Sequence, residues 1–168
     1  MTDVNAMGPE EFIERYGGIY EHSPWVAEEA FGDYLEDPDT DALAELFAEC
    51  VDNASRDRRL ALIHAHPDLA GRAAVAGELT EPSGEEQSSA GIDQCSPQEF
   101  ARFQDLNQRY KEKFGFPFVM AVRGSNRQEI LSAFEARLQN DPAEEFERAI
   151  SEIHKIARLR LAAMKDDE

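Results

Sequence analysis

Ser96-Pro97-Gln98-Glu99-Phe100-Ala101-Arg102-Phe103-Gln104-Asp105-Leu106-Asn107-Gln108-Arg109-Tyr110-Lys111-Glu112-Lys113-Phe114-Gly115 is the stretch that decides the fold class. Its first four residues fit a capping box, with proline in the first turn where its missing N–H costs nothing. Phe100, Phe103, Leu106, Tyr110 and Phe114 then recur at helical spacing and give a long amphipathic helix one apolar face. Gly115 closes it, since glycine takes the left-handed conformation of a helix stop without penalty. Phe116-Pro-Phe-Val-Met-Ala-Val122 has strand-like composition but no evident pairing partner, and reads as a buried extended connector.

The same punctuation recurs on both sides. Pro9-Glu10-Glu11 opens a first helix that Gly17-Gly18 ends. Ser23-Pro24 reads as an N-cap and first turn leading through Trp25, Ala30 and Phe31. Asp39 or Thr40 caps a helix carrying Leu43, Leu46, Phe47, Cys50 and Val51. A short helix runs from about Ser55 toward His66 and must stop near Pro67. Ser83-Gly-Glu-Glu86 fits another capping box, for a helix through Gly91. Helices follow from about Asn126 to Leu138 and from Pro142 to near Met164. No repeat, low-complexity tract or linker interrupts the pattern. The expectation is an all-α, single-domain bundle of about eight helices over residues 1–168.

Composition narrows the function classes. Hydrophobic residues make up 42% of the chain, enough for a core. No apolar run approaches the ~20 residues of a membrane span. Neither terminus carries a recognisable secretory or peroxisomal signal. Cys50 and Cys95 form no CxxC, so two reduced thiols in a cytoplasmic protein are expected. The net charge of −18 repels nucleic acid and anionic membrane, so neither is an expected partner. Lysine is scarce while arginine is retained, which points to a halophile whose salt screens the self-repulsion.

Three residues stand out chemically. His64-Ala-His66-Pro67-Asp68 invites a metal reading, but the related hydrolase pattern needs a histidine where Leu69 stands. Only His22 and His154 remain to complete a shell, so no metal site is expected. His66 could otherwise be a cation at a helix C-terminus, and Glu86 the reciprocal partner of Ser83 in its capping box. Arg160 falls inside an apolar face formed by Phe146, Ala149, Ile150, Ile153, Ala157, Leu161 and Met164. Such a guanidinium needs an anionic or carbonyl partner, supplied either by the protein or by a ligand.

With these residues in place the chain resembles the 2-oxo-4-hydroxy-4-carboxy-5-ureidoimidazoline (OHCU) decarboxylase family. The resemblance rests on Glu21-His-Ser-Pro-Trp25, His66-Pro-Asp-Leu-Ala-Gly71, Ser83-x-x-Glu86-Gln87-x-x-Ala90-Gly91, Phe103-x-x-Leu106-Asn107-x-x-Tyr110, Lys113-Phe-Gly-Phe-Pro-Phe-Val119 and Ile156-Ala-Arg-Leu-Arg160-Leu161, in family order. It implies a homodimeric lyase, without cofactor or metal, that forms (S)-allantoin in urate breakdown. It implies catalytic roles for His66, Glu86 and Arg160. Pro67, Gln87 and the backbone around Phe116, Phe118 and Val119 are implied as contacts to a small-molecule substrate. The readings set against it are a metallohydrolase on His64, His66 and Asp68, and a non-catalytic helical module in which Arg160 is consumed by an internal salt bridge.

Overall fold

A computed structural model of the chain describes residues 6–31, 40–66, 68–69, 80–92 and 95–166. Among these residues every regular element is a helix. They are α1 (Pro9–Tyr16), α2 (Trp25–Ala30), α3 (Thr40–Asp52), α4 (Arg56–His64), α5 (Glu81–Ser89), α6 (Pro97–Phe114), α7 (Arg127–Arg137) and α8 (Pro142–Asp166). The all-α expectation holds, and eight helices lie among the described residues.

Local chemistry explains most of the boundaries. The capping box of α6 is present: Glu99 N–H donates to Ser96 Oγ at 3.1 Å, and Ser96 N–H donates to the Glu99 carboxylate at 3.0 Å. Gly115, with φ of 77°, ends the helix in the left-handed conformation. Ser55 and Asn126 cap α4 and α7 by accepting from Arg58 N–H and Glu129 N–H.

Two boundaries and the exposure of one residue differ from expectation. Ser23 does not cap α2; its hydroxyl donates to the Glu21 carbonyl at 2.9 Å, and the helix begins beyond Pro24. Helix α5 begins at Glu81, with Gly84 N–H donating to the Thr80 carbonyl at 2.8 Å. Ser83 therefore lies inside the first turn, so the capping explanation for Glu86 lapses. Phe100 points along the apolar face of α6 yet is 37% exposed, because it stands a turn outside the covered stretch from Phe103 to Phe114. Asp39, an alternative cap for α3, lies outside the described residues.

Contacts gather the chain into two compact units: Met1–Ala65 with Ile153–Glu168, and His66–Glu152. The first unit has an aromatic core in which Phe12 meets Tyr16, Phe31 and Phe47 at centroid distances of 5.0, 5.6 and 6.1 Å. Ile153, Ala157 and Leu161, from the second part of α8, are buried in it.

The second unit is built around Tyr110, whose ring meets Phe114, Phe116, Phe118 and Phe134 edge-on or tilted. Such pairs each add ~0.5–1.5 kcal/mol beyond area burial. The connector from Phe116 to Val122 is non-helical, and Phe116, Pro117, Phe118, Val119 and Val122 are buried. Among the described residues no helix is long and apolar enough to cross a membrane.

Candidate active site

In the second unit His66, Glu86 and Gln87 are all buried, 7%, 8% and 5% exposed. Polar groups this well enclosed cost free energy unless they are bonded or used. His66 stands two residues beyond the last residue of α4, and the place at that helix end belongs to the exposed His64. The helix-dipole explanation therefore fits His64 better than His66.

Side chains from two helices grip the residues that follow His66. Gln87 of α5 donates through Nε2 to the Asp68 carbonyl at 3.3 Å. Asn107 of α6 donates through Nδ2 to the Leu69 carbonyl at 3.0 Å. Lys111, one turn further along α6, donates to the Asp68 carboxylate. The His66-Pro67-Asp68 segment and the Glu86-Gln87 pair are thus joined by a direct hydrogen bond. Pro67 itself lies outside the described residues.

The connector is held by a buried network that sequence reasoning missed. Glu145 is fully buried and accepts from Tyr110 Oη, from Asn140 Nδ2 at 2.8 Å and from Arg137 Nε at 3.0 Å. Arg137 in turn donates to the Val119 carbonyl at 2.7 Å, with its guanidinium 4.4 Å from the centre of the Phe118 ring. Burial, then the hydrogen bond to Glu145, pushes the Tyr110 phenol well above its ordinary pKa, so it stays a donor. Glu152, also buried, accepts from Ala121 N–H at 3.1 Å.

Two successive peptide planes, Val119–Met120 and Met120–Ala121, are therefore fixed by charged side chains. The peptide bonds are trans, so Met120 N–H and Met120 C=O point opposite to their tethered neighbours. The side chains of Phe116, Phe118 and Val119 are core, which leaves only their main chain to meet a ligand.

In the first unit Arg160 is 6% exposed and has found protein partners. Its Nη2 lies 3.4 Å from Glu21 Oε2, and Nη1 donates to the Gly18 carbonyl at 3.2 Å. Of the two partners open to it from sequence, the structure supplies the internal acid. Arg148, Lys155 and Arg158 are exposed, as the helical periodicity requires.

His154, a possible completing ligand for a metal, has both ring nitrogens engaged. Tyr20, whose phenol burial keeps protonated, donates to Nδ1 at 2.8 Å, leaving Nε2 to donate to Asp52 at 3.2 Å. Among the described residues no group of three or more histidine, cysteine or acidic side chains is arranged to hold a metal ion.

The described residues, all-helical in their regular elements, combine a tethered non-helical connector with a buried histidine, glutamate and glutamine, side-chain types suited to acid–base chemistry. The OHCU decarboxylase family model matches residues 5–162. The chain belongs to that family. It is 43% identical over 162 residues to the OHCU decarboxylase of Haloferax volcanii, covering 96% of this chain and 94% of the relative. It is 41% identical to that of Halalkalicoccus jeotgali, covering 96% and 89%. Among solved structures it superposes on a crystal structure of (S)-allantoin synthase with a TM-score of 0.76 and 32% identity, covering 96% of this chain and 52% of the other. A crystal structure of OHCU decarboxylase in the presence of (S)-allantoin matches with a TM-score of 0.68 and 25% identity, covering 83% and 89%.

Proposed function

We propose that this chain converts OHCU to (S)-allantoin in urate breakdown, with residues 1–168 acting as one decarboxylase domain. The observation that carries the reading is the bond from Gln87 to the Asp68 carbonyl, which ties the buried Glu86-Gln87 pair to the segment bearing His66. Membership of the family supports it over residues 5–162.

The chemistry suits these residue types. OHCU carries its carboxylate on a carbon that also bears a hydroxyl and adjoins a ring C=N. Loss of carbon dioxide pushes the electron pair into that C=N, and the resulting enol is protonated on one face. The substrate is its own electron sink, so the reaction needs no cofactor or metal. The protein's work is to orient the scissile bond, move protons and exclude water.

In this reading His66 performs acid–base work at the hydroxyl and the carboxylate-bearing carbon. Glu86 and Gln87 hydrogen-bond the ring or ureido N–H groups. Arg160 holds a substrate carbonyl or the charge developing in the transition state. Pro67 and the main chain around Phe116, Phe118 and Val119 complete the contacts. The supporting feature there is the connector's tethering, which pre-orients donors and acceptors before substrate arrives.

The protein works as a homodimer in the cytoplasm, with neither nucleic acid nor membrane as a partner. Its acidity fits a halophilic source, and the two relatives compared above come from halophilic archaea. OHCU decays spontaneously to racemic allantoin, so substrate loss alone is no test. Purified protein added to fresh OHCU should give optically active allantoin. Racemic product at the uncatalysed rate would sink the proposal.

A further inference from the structure

Asn107 is a buried amide on an apolar face. At helical periodicity it points between the directions of Phe114 and Phe100, and only 4% of its surface is exposed. Its Nδ2 is used on the Leu69 carbonyl, while its Oδ1 is buried without a hydrogen-bond partner among the described residues. One bond gained against one acceptor stranded is a poor exchange for stability, and an apolar side chain of the same size would serve the core better. The amide's place therefore calls for another explanation.

That explanation lies in what it holds. Asp68 and Leu69 are the second and third residues after His66, and both are gripped by α6: Leu69 by Asn107, Asp68 by Lys111 one turn later. The two side chains are spaced four apart, so a single rigid helix face presents both donors. The third grip on the segment, from Gln87, comes from the helix that carries Glu86.

We infer that Asn107 is a positioning residue for His66, its amide, with Lys111 beside it, pinning the chain that follows the histidine so that the imidazole keeps its working orientation. The inference rests on the acid–base role given to His66, and the variants below separate the two.

Asn107→Leu keeps the volume and removes the donor. Its kcat should fall about tenfold or more, the scale of a small misplacement of a catalytic group, with KM within about twofold and Tm not lowered. In a His66→Asn background the same substitution should cost nothing further, because its effect runs through the imidazole. Wild-type kcat in Asn107→Leu, or an additional loss in the His66→Asn background, would overturn the inference.

Should Asn107→Leu fail to fold, the exposed Lys111 decides instead. Lys111→Met should lower kcat and Lys111→Arg should restore it, and a wild-type kcat in Lys111→Met would overturn the clamp. Full activity in His66→Asn alone would remove the role of His66, an outcome distinct from failure of the clamp.

Discussion

The guanidinium of Arg160 and the carboxylate of Glu21 form a buried ion pair, Nη2 to Oε2 at 3.4 Å, with side chains 6% and 3% exposed. The pairing satisfies a charge that helical periodicity alone places on an apolar face. It also alters what a substitution at Arg160 reports, because two functions now rest on one side chain. Arg160→Met removes the guanidinium from a buried carboxylate and should cost about 3–5 kcal/mol of stability. The double variant Glu21→Met with Arg160→Met removes both charges, leaving the neutral Gly18 carbonyl without that donor, and should recover most of the Tm. Activity should stay lost in the double variant if the guanidinium also holds substrate. Recovered activity alongside recovered Tm would reduce Arg160 to a structural role.

His66→Asn should lower kcat by ~10²–10⁴-fold, the usual contribution of a general acid–base step. A pocket imidazole contributes little to the core, so far-UV circular dichroism and Tm should remain near wild type. Turnover close to wild type would assign His66 to structure.

Tyr20 and Tyr110 should titrate only when the protein unfolds. Burial comes first among the causes that raise both phenols; the Asp52 charge adds to it at Tyr20, and the bond to Glu145 at Tyr110. A raised folded-state pKa means that the folded protein binds the proton more tightly. The resulting stability is full below the unfolded value of ~10 and is lost progressively as pH rises above it through the higher folded value. Absorbance of ionised tyrosine near 295 nm should therefore show two groups rising together with loss of helix. Smooth titration of all tyrosines in a folded protein would contradict their burial.

The −18 charge should make stability depend on salt. At 0.01 M salt the Debye length is ~30 Å and like charges repel across the whole molecule; at 1 M it is ~3 Å. Molar potassium or sodium chloride should raise Tm substantially and preserve the proposed dimer. A flat melting profile across a chloride series would rule out the halophilic reading and leave the decarboxylase assignment standing.

Much of the fold was legible because helix punctuation is local. Ser96 with Glu99, Gly115 and Asn126 each act within one turn, and each does what its side chain suggests. Ser23 and Ser83 misled for the same reason. A serine near proline or glutamate marks a helix start only to within a turn, and at Ser23 the Glu21 carbonyl takes the hydroxyl instead.

Among the buried polar residues, Arg160 announced itself as a charge on an apolar face. Arg137 carried the same signal, seven residues after Ile130 and three after Phe134, as did Asn107 on α6. Glu145 and Glu152 were harder to find, because they flank the apolar face of α8 and no local pattern distinguishes a flanking acid that is buried from one in water. Their burial is set by residues far away in sequence, Tyr110 and Ala121 among them.

The unit that holds Arg160 draws its residues from both ends of the chain, with the whole of the other unit encoded between them. On the ribosome, α1 to α4 emerge first, but Ile153, Ala157 and Leu161 follow only after residues 66–152 have been made. At ~5–20 residues per second that is a wait on the order of ten seconds. The later-encoded unit is complete first. During the interval the buried carboxylate of Glu21 lacks the guanidinium of Arg160, and the unit lacks the buried apolar residues of its last helix. Nascent chains of this protein are therefore most exposed to chaperones and to aggregation through their earliest-made helices.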